Sequence, residues 1–522
     1  MVQPPTSPPA DRFHFYAGVA RNTVYLTAAI GAASAGLLAC DVLLARTLSV
    51  DDYGLIVYMV GLISFLLYLS DLGLSRWLPT TLAGALARGD RKTAARACGS
   101  ALVLEVAAGC LLAAGVVAVS YRMPEVIRTL QGWFGAGPRG PAGEIPPRIA
   151  QWMRVLALWL VILPIVRYFE GVYDGYQQMR FSFLSALFRE PVRALVIAAV
   201  VAVTADMGAV VLAVGLAPVL ILAVNLCLFG RFRRATPDCR LALEARSIAK
   251  VFYSTLYFFL PMVGLWVFPD LVRLVAGTFD SLATAGKLKI CMSLTLLAFV
   301  PLGALARAFL PAFGSKVQDR TVLGASFLGS LKLAGLVNFA FFVLMASAGA
   351  YVARGVFGAE YPVAEMHGLM VLVALGSFYE GFRLLTEPVL QGTGHAPVAG
   401  YIEAVRLAVL LALGVLVVPR WPGEGIAVIL CVVNLLAWAL RFAAVQRFVV
   451  RVPWAAMTGL ALMNTVMAVA ALRGWTAVFW IVAAAAVVVQ ALTFTRADVA
   501  AVRSTLKILL RGLRSGRDDA GA

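Results

Sequence analysis

Charge is scarce in this sequence: 14% of its 522 residues are charged and 61% are hydrophobic, with a mean hydropathy of +0.88. A soluble domain of similar length carries about 25% charged and roughly 45–50% apolar residues. A water-facing globule is therefore excluded, because it could not cover its surface with polar groups. The seven cysteines are scattered, with no C-x-x-C and no histidine at ligand spacing. That argues against a disulfide framework or a zinc site and for inert buried thiols. His14, His367 and His395 are too few and too dispersed for a metal centre, and no cofactor is expected. No G-x-x-x-x-G-K-[ST] loop occurs. The nearest fragment, Gly286-Lys287-Leu288, lacks both the preceding glycine and the following hydroxyl. Also missing are a G-x-S-x-G elbow, an H-E-x-x-H helix and a dinucleotide fingerprint. Strand-like alternation is absent, which excludes a membrane barrel. The Pro-rich first 22 residues hold no signal-type apolar core, so the first apolar segment is expected to be a retained helix.

What is present is a series of apolar stretches of about 20 residues, the length that crosses a hydrocarbon core of roughly 30 Å. The expected fold class is all-α: a polytopic membrane protein with about fourteen spans. They fall at 24–45, 55–75, 99–120, 150–169, 181–203, 209–229, 255–276, 285–310, 326–348, 366–390, 399–418, 425–447, 453–471 and 477–494. With the N-terminus cytoplasmic, 28 of the 44 Lys and Arg residues fall inside, 12 outside and 4 within spans. This inward bias is the usual one and puts both termini in the cytoplasm. The basic tail, with Arg496, Arg503, Lys507, Arg511, Arg514 and Arg517, fits lipid headgroups better than nucleic acid. The longest loop, 121–149, has only Glu125 and Glu144 as acids, which weighs against an enzyme with its chemistry on a loop.

Ionisable residues inside apolar spans are costly and count as candidate functional groups. Glu380, Arg383 and Glu387 share one face of span ten, and Glu403 and Arg406 lie three apart in span eleven. Arg189, Glu190 and Arg193 occupy span five, Arg167 and Glu170 end span four, and Asp270 and Arg273 lie in span seven. Two readings stand side by side: local ion pairs that tie helices together, or a polar cavity between helices. Pro164, Pro218, Pro261, Pro269, Pro301 and Pro388 interrupt spans, as is common where helices line a wet space. A loose internal repeat relates Asp41 through Gly54 to Asp270 through Gly286. It suggests two related halves around a central site. The expected organisation is a segment 1–23, an N-lobe 24–229, a linker 230–254, a C-lobe 255–447, an extra helix pair 448–494 and a basic tail 495–522.

The run Leu44-Ala45-Arg46-Thr47-Leu48-Ser49-Val50-Asp51-Asp52-Tyr53-Gly54 resembles the segment between the first two spans of Wzx-type polysaccharide flippases. These belong to the multidrug/oligosaccharidyl-lipid/polysaccharide (MOP) exporter superfamily. Asp71-Leu72-Gly73-Leu74-Ser75-Arg76, Gly358-Ala359-Glu360-Tyr361 and Leu390-Gln391-Gly392-Thr393-Gly394-His395 are similar to further short segments of that group. The resemblance implies two helical lobes around a cavity alternately open to each leaflet. It implies a lipid-linked oligosaccharide as substrate, and a polymerase and glycosyltransferases of the same pathway as partners. On that basis Arg46, Arg76, Arg273, Arg307 and Arg383 are the candidate substrate-binding residues. Asp270, Glu380 and Glu387 are the candidate carboxylates for charge balance or ion coupling. A peptidoglycan-precursor flippase or cation-coupled exporter of the same superfamily is the alternative within transport. A membrane glycosyltransferase or polymerase is the alternative outside it.

Overall fold

The computed structural model describes residues 30–122, 148–297 and 320–493, apart from 205, 238, 240, 394 and 451–453, together with the isolated residues 28, 125, 129, 299–300 and 302–303. Arg307, the segment 1–23, the tail 495–522 and most of loop 121–149 lie outside the described residues. Helices dominate, and no strand occurs among the described residues. In chain order they are α1 (Ile30–Thr47), α2 (Val50–Ser70), α3 (Leu74–Ala87), α4 (Arg91–Ser120), α5 (Ile149–Leu156), α6 (Leu158–Gly175), α7 (Met179–Val203) and α8 (Met207–Ala235). There follow α9 (Ala245–Phe279), α10 (Leu282–Leu296), α11 (Arg320–Phe357), α12 (Val363–Gly381), α13 (Arg383–Gly392), α14 (Ala396–Val417), α15 (Gly425–Phe448), α16 (Trp454–Leu472) and α17 (Thr476–Thr493).

Every expected span overlaps a described helix, with the pairs α2–α3, α5–α6 and α12–α13 acting as broken single crossings. Among the described residues, nine segments are long and apolar enough to cross a membrane, and 457–472 and 476–490 are shorter apolar helices. Charges set α7 apart from these, with Arg189, Glu190 and Arg193, and α10 is 15 residues long. Pro164, Pro218 and Pro388 lie inside α6, α8 and α13 without ending them.

Local chemistry sets several boundaries. Side-chain oxygens of Ser49, Asp90, Asp206 and Ser281 accept from the backbone N–H of Asp52, Thr93, Ala209 and Thr284, capping α2, α4, α8 and α10. Span two was expected to end near residue 75 but runs on to Ala87 after a break. There Leu72 and Gly73 adopt φ of 50° and 82°, a left-handed turn for which glycine carries no steric cost.

Helices α3, α4, α6 and α8 enclose one aromatic-rich core, in which Phe232 meets Tyr173, Phe181 and Phe229. A larger core joins α1, α2, α9, α10 and α12 to α15. The element joining the two halves of the chain is α2, which packs along both α9 and α10. The two members of the sequence repeat meet here. A Cβ on Gly286 would stand 3.2 Å from the Gly54 Cα, and one on Gly54 would stand 2.0 Å from the Leu282 carbonyl oxygen. Backbone cannot yield as a side chain can, so G54A is expected to cost at least about 1–3 kcal/mol. The measurement is the detergent-solubilised melting temperature, and an unchanged value would contradict this packing.

Candidate functional site

Most of the ion pairs among the described residues fall into two groups. The first lies within the second half of the chain. Helix α12 is its most enclosed element, with 89% of its spanning window buried, so the charges at its end lie in packed protein. Arg383 pairs with Glu380 and, at 3.0 Å, with Glu387. Arg406 on α14 reaches Glu380 at 2.9 Å and Glu403 at 3.1 Å. Arg441 on α15 also pairs with Glu403 and stands 3.5 Å from Glu380. Asn434 accepts from Arg406 at 2.7 Å and donates to the Gly376 carbonyl at 3.1 Å. The Arg406 guanidinium lies 3.5 Å over the Phe268 ring of α9. Three arginines meet three carboxylates, so the cluster is neutral. Its Arg406 side chain is 1% exposed. Of the sequence candidates, Arg383, Glu380 and Glu387 all belong to it, in the arrangement of an ion network that ties α12 through α15 together.

The second group follows the seam between the halves. Arg189 on α7 makes hydrogen bonds of 3.0 and 3.1 Å to the Glu170 carboxylate of α6 and reaches Glu190 at 3.3 Å. Arg193 pairs with Glu190 at 2.7 Å and lies near Asp41 of α1. Asp41 in turn accepts from Lys289 at 2.8 Å and from Ser293 at 2.6 Å, both on α10. The result is a ladder of alternating sign from Lys289 in the second half to Glu170 deep in the first. Arg167 lies 4.5 Å over the Tyr68 ring. The charges of Arg167, Arg189, Asp270 and Arg273 all act on that tyrosine, and Asp270 and Arg273 pair with each other on α9.

These charges face away from lipid. On α7 the strongly exposed apolar residues are Phe188, Leu195 and Val203, whereas Arg189, Glu190 and Arg193 project from the other side of the helix. The Arg189 side chain, in the middle of α7, is 28% exposed and that of Glu170, towards the end of α6, 22%.

Along the face bearing the α1–α2 turn, hydrogen bonds join the halves. Arg46 donates to the Val356 and Gly355 carbonyls at the end of α11, each at 2.7 Å. Tyr58 and Thr278 hydroxyls meet at 3.1 Å across the α2–α9 contact. Of the remaining sequence candidates, Arg76 is exposed near the start of α3, Arg273 pairs with Asp270, and Arg307 lies outside the described residues. Reading the sequence passed over Lys289, Arg441 and Glu105. The first two were visible only as basic residues within apolar runs. Glu105 is 2% exposed in α4, with Asp71 and Arg167 acting on it, and its Oε2 has no hydrogen-bond partner among the described residues.

Among solved structures, the chain resembles an inward-facing multidrug resistance MATE family transporter of the MOP superfamily. The TM-score is 0.62 at 16% identity, over 80% of this chain and 95% of that one. The fold is that of the MATE transporters. An outward-facing structure of such a transporter matches at TM-score 0.57 and 15% identity, over 82% and 94% of the two chains. A MOP superfamily transporter from Pyrococcus furiosus Vc1, described as having a binding pocket of reverse polarity, matches at TM-score 0.55 and 16% identity, over 82% and 95%. No protein-family model matches the sequence, and no curated protein sequence does. The ladder runs from α6 and α7 to α10, and the Arg46 contacts run from the end of α1 to the end of α11.

Removing Lys289 deprives the buried Asp41 carboxylate of the ion pair that joins α1 to α10, which weakens the contact between the halves. K289M is expected to increase thiol labelling of cysteines introduced at the ends of α1 and α11. Labelling equal to that of the parent would show that this pair does not hold the halves together.

Proposed function

We propose that the chain is a MOP-superfamily transporter that carries an anionic lipid-linked oligosaccharide, of the undecaprenyl pyrophosphate type, between leaflets by alternating access. The membrane is a bacterial inner membrane, both termini are cytoplasmic, and movement runs from the cytoplasmic to the periplasmic leaflet. The observation that carries this reading is Arg189: a partly exposed guanidinium in the middle of α7, away from that helix's most exposed apolar residues and one turn from Arg193. Arginine keeps its charge under partial burial and offers a planar fork of donors that suits phosphate oxygens. A pyrophosphate entering the seam competes with Glu170 and Glu190 for these donors, so binding loosens the ladder that ends at the Lys289 tie. Of the sequence candidates, Arg273, whose charge acts on the same Tyr68 as Arg189, is assigned to share that anion. Arg46 is assigned to the bonds that join α1 to α11, and Arg383 to charge balance within its network. The polymerase and glycosyltransferases that build the glycan are the partners in this reading.

A second reading, a cation-coupled exporter, is favoured by Glu105. Its buried, unpartnered carboxyl oxygen lies beside one arginine and a second acid. Proteoliposomes separate the two. The first reading expects outward movement of a fluorescent pyrophosphate-linked oligosaccharide lipid, without ATP, and no export of organic cations. Export of organic cations with no movement of the lipid would overturn it, as would an absolute need for ATP.

A further inference from the structure

The turn that follows α11 closes over the end of α1. Gly358 forms it at φ of 123°, a backbone conformation that favours glycine, and a Cβ there would stand 4.0 Å from the Arg46 Cγ. Between the two elements lies a cleft of about 440 Å³, with Ala45 and Arg46 on one side and Arg354, Gly355 and the turn 357–360 on the other. Arg46 uses its Nε and Nη2 on the Val356 and Gly355 carbonyls, so its Nη1 is left without a partner among the described residues. Arg354 and Glu360 are exposed, and neither side chain makes a hydrogen bond or ion pair among the described residues. Two cations and one anion leave the cleft with one uncompensated positive charge. An apolar stripe of α11 runs up to it: Ala340, Leu344 and Tyr351 are exposed at the spacing that puts them on one helix face with Gly355. Tyr351, 67% exposed one turn before Arg354, is the residue type that gathers at headgroup level. The transport reading gives Arg354 and Glu360 no role.

We propose that this cleft binds an anionic phospholipid of the phosphatidylglycerol type, whose headgroup bridges the two halves of the chain. The phosphodiester accepts from the Arg46 Nη1 and from Arg354, since guanidinium donors suit phosphate oxygens. Its single negative charge balances the one left over in the cleft. The headgroup hydroxyls donate to the Glu360 carboxylate, and an acyl chain lies along Tyr351, Leu344 and Ala340. Free phosphate has no apolar part to use that stripe. A phosphatidylethanolamine headgroup is neutral as a whole and leaves the positive charge of the cleft uncompensated. Basic pockets at the headgroup level of helical membrane proteins take anionic lipids for the same reason. Bound there, the lipid adds to the bonds by which Arg46 joins α1 to α11.

The test is native mass spectrometry of the full chain, released from detergent after titration with phosphatidylglycerol or with phosphatidylethanolamine. Retention of phosphatidylglycerol is expected to be at least about tenfold tighter than that of phosphatidylethanolamine, and R354Q should weaken it by at least about tenfold. R420Q, which removes an exposed arginine that does not line the cleft, should leave it unchanged. Millimolar inorganic phosphate should not displace the lipid. The comparison of the two lipids on the parent chain stands even where R354Q fails to fold. Equal retention of both lipids would overturn the proposal, as would parent-like retention in R354Q or an equal loss in R420Q. Displacement by inorganic phosphate would also overturn it, making the cleft a site for a free anion.

Discussion

R406M is expected to be the most damaging single substitution in the second half of the chain. It leaves Glu380 and Glu403 with their other arginines but removes the charge between them, along with the bond to Asn434 and the contact over Phe268. Breaking a buried ion network by deleting one partner typically costs about 3–5 kcal/mol, because a charge is stranded away from water. The expected result is a large loss of folded, detergent-extractable protein. Removing the charges in balance, as in R406M/E403Q, should recover part of it. If R406M melts with the parent chain, the network is not what holds α12 through α15 together. Arg406 also packs against α9, so the loss should reach the seam and not stay within the second half.

R189Q carries the second large effect, on transport more than on stability. The pair it breaks is partly exposed, and such pairs contribute modestly to folding. Transfer of the pyrophosphate-linked lipid in proteoliposomes is expected to fall by at least about tenfold, the equivalent of 1.4 kcal/mol and less than one charge-assisted bond to phosphate contributes. The double variant R189Q/E170Q separates the two roles. Removing both members of the pair should restore the melting temperature, because no carboxylate is stranded, while transfer stays low because the donor is gone. Recovery of transfer in the double variant would make Arg189 a structural residue and move the anion site elsewhere along the seam.

Lipid exposure fixes a helix's composition residue by residue, so the all-helical class and the placement of the apolar stretches could be read from the chain alone. The spacing Glu380, Arg383, Glu387 was equally local, and these side chains do pair along one helix face. The repeat relating Gly54 to Gly286 was also legible, though not that its two members touch. Other features were not. Arg441 and Asn434, seven residues apart on α15, mean little until α12 and α14 lie beside them. Lys289 looked like an ordinary cation within an apolar run until α1 brought Asp41 to it.

The sequence by itself thus determined a membrane-spanning helical protein and many of the residues that carry charge into its spans, because each of these depends on neighbours within a few turns of helix. Only the tertiary structure decided which of those charges cancel in one buried network and which stay partly exposed between the halves. That choice depends on helices brought together from tens to hundreds of residues apart, and pairing at such range leaves no periodic trace in a single chain.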